Sequence, residues 1–245
     1  MLGIHTEDAS LSSEVTGKQF IISGYSSELA QASFSPFLDK NKIYGTYNTN
    51  NSIKAAQNQS LFEVNLDSEK NIFEFVNKIR HKLSNIVLIN FAAHKQDELL
   101  LNSDSTSWDK TFNVNVKSNF LLAKALIPIM MANKWGRIIH ISSAKGVRGS
   151  KGSAIYSASK TAIEGLNKSI AKEYARFGIT SNIISLGYFN YGLFKKLDSK
   201  KQEEFRNTLP SKLLGSANDI SNCVHFLINS PFTNGSNILI DGCMD

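Results

Sequence analysis

The sequence predicts an α/β fold: a single doubly wound domain whose mostly parallel sheet has helices on both faces. Two observations carry this. Apolar runs of strand length recur at Lys18–Ser23, Lys42–Thr46, Leu61–Leu66, Ile86–Asn90, Arg137–Ile141, Thr180–Ser185 and Ile238–Asp241. Helical patterns lie between them, notably Asn71–Lys82, Trp108–Asn133, Ser157–Ala175 and Ala217–Asn229. Such alternation implies parallel pairing with helical crossovers, and a continuous run like Lys18–Ser23 suits a strand buried on both faces.

Length and composition bound the rest. The 245 residues suffice for one large domain over 18–245, preceded by a polar leader over 1–17. A hydrophobic content of 42% with 20% charged residues is that of an ordinary globular protein. Two cysteines, Cys223 and Cys243, exclude a disulfide framework or a cysteine-based zinc site, and the histidines lack metal-ligand spacing. The longest apolar segment, Phe120–Ala132, is too short to span a bilayer, and the first residues lack the pattern of a signal peptide. A cytoplasmic protein is expected. The net charge of +6 comes mostly from lysines scattered along helices, without a nucleic-acid motif, so it reads as a solvated surface or a dock for an acidic protein.

Along the chain, Gly24 follows the first strand and Ser27 caps a helix running to about Lys40, with Pro36 predicting an early stop or kink. In the helix after Tyr156, Ala158, Ala162, Leu166, Ile170 and Tyr174 recur every four residues with Ile163 alongside, predicting a core or interface stripe. Gly178 stands where a left-handed cap would close that helix.

The chemistry concentrates in residues 137–178. A strand passes through Ser142 and Ser143, a Gly- and Lys-rich loop follows over Lys145–Ser153, and a helix then carries Tyr156 and Lys160. Residues four apart on a helix share a face, so a phenol and an ammonium meet at one site. The cation favours phenolate, which predicts a lowered Tyr156 pKa and an acid usable near neutral pH. A second Tyr-x-x-x-Lys pair, Tyr191 and Lys195, lies in an irregular loop and lacks the strand-borne serine.

Ser143, Tyr156 and Lys160, with Asn115 on the preceding helix, resemble the short-chain dehydrogenase/reductase family, and within it the 3-oxoacyl-acyl-carrier-protein reductases. The resemblance runs from about Lys18 to Gly242 and implies seven strands in Rossmann-like order. It implies that Tyr156 protonates a carbonyl oxygen, Ser143 hydrogen-bonds it, and Lys160 lowers the Tyr pKa and binds the nicotinamide ribose. Asn115 would hold a water on its backbone, relaying protons to Lys160. The cofactor residues carried over are Gly24, Ser26, Ser27, Asn48, Asn65, Leu66, Asn90, Ala92, Tyr156, Lys160, Gly187 and Phe189. Gly187 is expected to let the nicotinamide ring approach.

The glycine-rich turn departs from the family pattern Thr-Gly-x-x-x-Gly-x-Gly, because Glu28 and Ala30 stand where the second and third glycines belong. A carboxylate beside a pyrophosphate is repulsive unless it turns away. After the second strand, Tyr47-Asn48-Thr49-Asn50-Asn51 holds no carboxylate for a ribose 2′-hydroxyl, and with Lys54 nearby this favours NADP(H) over NAD(H). Residues Gly187–Gly215 occupy the family's substrate lid, where Tyr188, Phe189, Tyr191 and Phe194 could line an acyl pocket beside Lys195, Lys196, Lys200, Lys201 and Lys212. His94–Leu101 and Lys134-Trp135-Gly136-Arg137 also resemble the carrier-protein reductases, which makes acyl carrier protein the expected partner and a homotetramer the implied assembly. The alternatives are a reductase of another ketone or alcohol, such as a sugar derivative, and a non-enzymatic relative with an eroded cofactor turn.

Overall fold

The computed structural model describes residues 14–48, 55–192, 194–207 and 209–244. Thr49, Asn50, Asn51 and Lys54 lie outside the described residues, as does most of the leader. Residues 14–17 belong to the domain: Val15 is buried, and its carbonyl and the Gly17 amide bond to Asn41 and Lys40.

Seven parallel strands form one sheet: β1 (Gln19–Ser23), β2 (Lys42–Tyr47), β3 (Gln59–Glu63), β4 (Ile86–Asn90), β5 (Gly136–Ser143), β6 (Ile179–Leu186) and β7 (Asn237–Ile240), in the order β3-β2-β1-β4-β5-β6-β7. β3 lies earlier than Leu61–Leu66 because it pairs from Ile43↔Gln59 to Tyr47↔Glu63. The order reverses between β1 and β4, which opens a crevice at their carboxyl ends.

The helices are α1 (Glu28–Phe34), α2 (Glu69–Ile79), α3 (Ser105–Phe112), α4 (Ser118–Ala132), α5 (Ala144–Arg148), α6 (Ala154–Tyr174), α7 (Ser199–Asn207) and α8 (Ala217–Asn229). Side chains alternate across the pleat. Phe20, Ile22, Val87 and Ile89 pack with α1 and α8. Ile21, Leu88 and Ile138 pack with α2, α4 and the end of α6. Ser27 caps α1 through the Ala30 amide at 3.1 Å, and the helix stops before Pro36 as expected. Gly178 takes the left-handed conformation after one 3₁₀ turn.

Two expectations are corrected, and a third, the stripe on α6, is core only in part. The Lys145–Ser153 loop begins with a short helix, α5, capped by the Ser143 hydroxyl. The single helix expected over Trp108–Asn133 starts earlier and contains a π turn at Asn113–Lys117. As a result, Ser105–Ala132 is long and apolar enough to cross a membrane by length and composition; half of its most apolar window is buried in the fold. The buried face of α6 is Ser159, Lys160, Ile163, Asn167, Ile170 and Ala171, while Ala162 is exposed. A strict four-residue repeat drifts by about 40° per step around a 3.6-residue helix, so it cannot follow one face over five positions.

A polar ladder crosses the sheet under α6. Asn90 Nδ2 lies 3.1 Å from His140 Nδ1, His140 Nε2 lies 3.4 Å from Ser181 Oγ, and Ser181 donates to Asn167 Oδ1 at 2.7 Å. Because the serine proton is spent on Asn167, the imidazole donates from Nε2 and accepts at Nδ1. Burial, helped by the charge of Lys160, pushes the His140 pKa down to about 3. The unfolded chain then binds a proton that the folded chain excludes between pH 6.5 and about 3, so stability falls as the pH drops through that window. His140→Asn should flatten this acid slope by about 2 kcal/mol or more, measured by urea unfolding at pH 7 and pH 4.

Candidate active site

The crevice holds two joined compartments. The first, of about 640 Å³, lies over the ends of β1, β2 and β3. The second, of about 530 Å³, extends over β5, β6 and the start of α6. Ser27, Phe91 and Ala93 border both, so the groove is continuous.

The first compartment is built on a close approach of two turns. Gly24 sits at φ +69°, and a Cβ there would lie 2.7 Å from Ala92 Cα. Only glycine accepts both the backbone conformation and the contact. Ser23 Oγ accepts from the Phe91 and Ala92 amides at 3.1 and 3.2 Å, fastening the turns together. Tyr25 turns inward over Gly45, and its hydroxyl accepts from Gln59 at 2.8 Å. Gly24, Ser26, Ser27, Asn48, Asn65, Leu66 and Ala92 all border this space, where the sequence reading put the dinucleotide.

Asn90 does not. Its side chain is buried against His140, so Asn90 makes no side-chain contact with this space.

The second compartment collects Ser143, Tyr156, Lys160, Gly187 and Phe189. Ser143 ends β5, and its hydroxyl lies within hydrogen-bonding reach of the Tyr156 phenol. Gly187 is required by packing: a Cβ there would lie 2.6 Å from Asp241 Cα, so its missing side chain makes room for the chain after β7.

Lys160 is buried, and its Nζ donates to the Ile141 carbonyl at 2.9 Å. Desolvation lowers its pKa to about 8. Its ammonium lies 5.7 Å from the centre of the Tyr156 ring. The expected depression of the Tyr156 pKa is not found. Burial raises it, the Ser143 hydrogen bond opposes that rise, and the Asp97 carboxylate adds to it. Tyr156 is therefore a fully protonated phenol at neutral pH.

Asn115 is fully buried within the π turn, beneath both compartments. Its side chain accepts from the His94 amide at 2.7 Å and donates to the His94 carbonyl and Ser159 hydroxyl, both at 2.9 Å. Its backbone carbonyl, expected to hold a relay water, accepts from Asn119 Nδ2. Asn115 thus pins the loop after β4 to α6. A π turn offers carbonyls that an α-helix would close, and such bulges recur at functional sites.

One group of residues escaped the sequence reading. Ser153 Oγ donates to Asp97 at 2.9 Å and accepts from Lys145 Nζ at 3.1 Å, while Lys95 pairs with Asp97 at 2.5 Å. This network ties the loop after β4 to the first turn of α6, three residues before Tyr156. Lys145 follows Ser143 by two positions, a proximity that could have marked it.

Glu28, the largest departure in the turn, faces the second compartment. Its carboxylate pairs with Lys195, which lowers its pKa, and the nearby Gly192 amide adds to that effect.

An open parallel sheet with a groove at its switch point, and a serine, tyrosine and lysine along one wall, define a nucleotide-dependent oxidoreductase of the α/β class. Comparisons with known proteins agree. A family model described as enoyl-(acyl carrier protein) reductase matches residues 40–245. The chain is 34% identical over 211 residues to 3-oxoacyl-[acyl-carrier-protein] reductase FabG of Buchnera aphidicola, covering 83% of this chain and 86% of that protein. It is 30% identical over the same length to its Escherichia coli counterpart, with the same coverage. A solved structure titled as a putative gluconate dehydrogenase from Agrobacterium tumefaciens superposes with a TM-score of 0.86, covering 94% of this chain and 97% of that one, at 21% identity. That likeness speaks to the fold. The chain belongs to the short-chain dehydrogenase/reductase family and is an oxidoreductase similar to its 3-oxoacyl-[acyl-carrier-protein] reductases.

The seat of Lys160 depends on Gly146 of α5, where an added Cβ would lie 2.7 Å from Lys160 Cβ and 3.2 Å from its backbone. Gly146→Ala should destabilise the fold by about 1–3 kcal/mol, measured by denaturant unfolding. Retention of wild-type stability would show that α5 can shift without cost.

Proposed function

We propose that this chain is a cytoplasmic, NADPH-dependent reductase of 3-oxoacyl thioesters carried on acyl carrier protein, assembled as a homotetramer. The observation that carries the reading is the meeting of Ser143, Tyr156 and Lys160 in a compartment continuous with the dinucleotide-sized groove. Gly24 and Ala92 border the first compartment with almost no side chain between backbone and groove, which supports dinucleotide binding there. When bound, a nicotinamide cofactor supplies the hydride for carbonyl reduction.

The protein handles the oxygen. Tyr156 Oη holds the proton that the developing alkoxide needs, and its raised pKa keeps that proton in place until charge builds on the substrate. Ser143 Oγ orients the same oxygen and the phenol together. Lys160, charged below about pH 8, places a cation behind the phenol and stabilises the phenolate left after transfer. The aromatic side chains Tyr188, Phe189, Tyr191 and Phe194 border the compartment and suit an acyl chain.

NADPH is favoured because Tyr47 at the end of β2 and Asn48 after it offer no carboxylate to repel a 2′-phosphate. The carrier protein is supported by the relatives' names and by exposed Lys134. Arg137 is removed from the expected docking set: it is buried and donates to the carbonyls of Ile228, Gly136 and Gly178 at 2.9–3.1 Å.

Titration followed by nucleotide fluorescence should give micromolar binding of NADPH, tighter than that of NADH. Failure of both to bind would refute the reading. With acetoacetyl thioesters as substrates, Tyr156→Phe should lower turnover by about a hundred- to ten-thousand-fold while leaving the unfolding midpoint unchanged. Near wild-type turnover in that variant would remove Tyr156 from the role of acid.

A further inference from the structure

Glu28 is the residue least compatible with a dinucleotide in this groove, and the structure gives it a partner from a distant part of the chain. Lys195, in the 3₁₀ turn Phe194–Lys196, pairs with its carboxylate. The nearby Gly192 amide also helps hold the Glu28 pKa down. The Lys195 ammonium also lies 4.7 Å from the centre of the Tyr191 ring, so the second Tyr-x-x-x-Lys pair of the sequence is a real contact. Tyr191, Gly192 and Glu28 all border the reacting compartment, while Ser27, one residue before Glu28, borders both compartments.

We propose that Lys195 is a cofactor-binding residue supplied by the substrate-side segment: it neutralises Glu28 and offers its ammonium to the phosphates of the dinucleotide, replacing the clearance that a glycine at position 28 would give. The inference rests on the dinucleotide reading above.

Charge arithmetic requires such a residue. A pyrophosphate laid along the Gly24 turn would meet the Glu28 carboxylate, and like charges repel at that range unless a cation stands between them. Lys195 is the cation paired there. Both side chains are about half exposed, at 45% and 55%. Exposed pairs are individually weak and salt-sensitive, so the ammonium can be shared with an incoming phosphate without breaking a strong bond. The arrangement also explains how position 28 tolerates a carboxylate: its charge is paired with Lys195.

The test compares dissociation constants for NADPH, by fluorescence titration, among wild type, Lys195→Ala, Glu28→Gln and the double variant. Lys195→Ala should weaken binding about fivefold or more, because it exposes the phosphates to an unpaired carboxylate. Glu28→Gln/Lys195→Ala should bind more tightly than Lys195→Ala alone, since the repulsion is gone. Equal affinity in wild type and Lys195→Ala would overturn the proposal. So would equal affinity in Lys195→Ala and the double variant. A second readout needs no nucleotide: followed by carbon NMR, the Glu28 side-chain carboxylate should titrate at higher pH in Lys195→Ala than in wild type, because Lys195 holds its pKa down, and an unchanged titration would refute the pairing itself. If wild type binds no nucleotide while the Glu28 titration responds to Lys195→Ala, the dinucleotide reading fails and the pair is a structural tie only.

Discussion

A lysine ammonium enclosed beneath the end of β5 is the constraint around which this site is arranged. Lys160 is 2% exposed and donates to a strand carbonyl, Ile141. An enclosed ammonium costs free energy that packing elsewhere must offset, which is why its pKa falls to about 8. The neighbouring structure conforms to that position. Gly146 lets α5 lie against α6 at Lys160, Ser142 reaches the Lys160 carbonyl at 3.4 Å, and His140 behind it remains neutral.

Two polar assemblies then fix the tyrosine relative to this cation. From one side, Asn115 joins the loop after β4 to Ser159, the residue just before Lys160. From the other, Asp97 and Ser153 join the same loop to the start of α6. Both assemblies close on a loop whose first residues are held to β1 by Ser23. The two compartments of the groove therefore share one seam.

Much of this was legible in the sequence. The seven apolar runs located all seven strands; the inner ones, β1, β2, β4, β5 and β6, are buried on both faces and leave a signal that needs no partner to read. Ser143, Tyr156 and Lys160 were legible because strand end and helix start place them by local geometry alone. What escaped depended on distant pairing. Asn90 looked like a cofactor contact until the β4–β5 register set it beside His140. Asn115's carbonyl has a partner, Asn119, that no motif marked. Arg137 looked like a surface cation until its neighbours' carbonyls enclosed it. Glu28 looked prohibitive because its partner lies 167 residues away. The Tyr156 pKa was misjudged for a different reason: helical spacing gives the direction of a cation's influence but not the burial that opposes it.

The measurement that tests this account most directly is the titration of Lys160, followed through the side-chain carbon resonances of labelled lysine and assigned by loss of the signal in Lys160→Met. The account expects one lysine to titrate near pH 8, well below the ordinary 10.5. If every lysine in the wild-type protein titrated near that ordinary value, Lys160 would be hydrated, and the description of the site as built on an enclosed cation would be wrong.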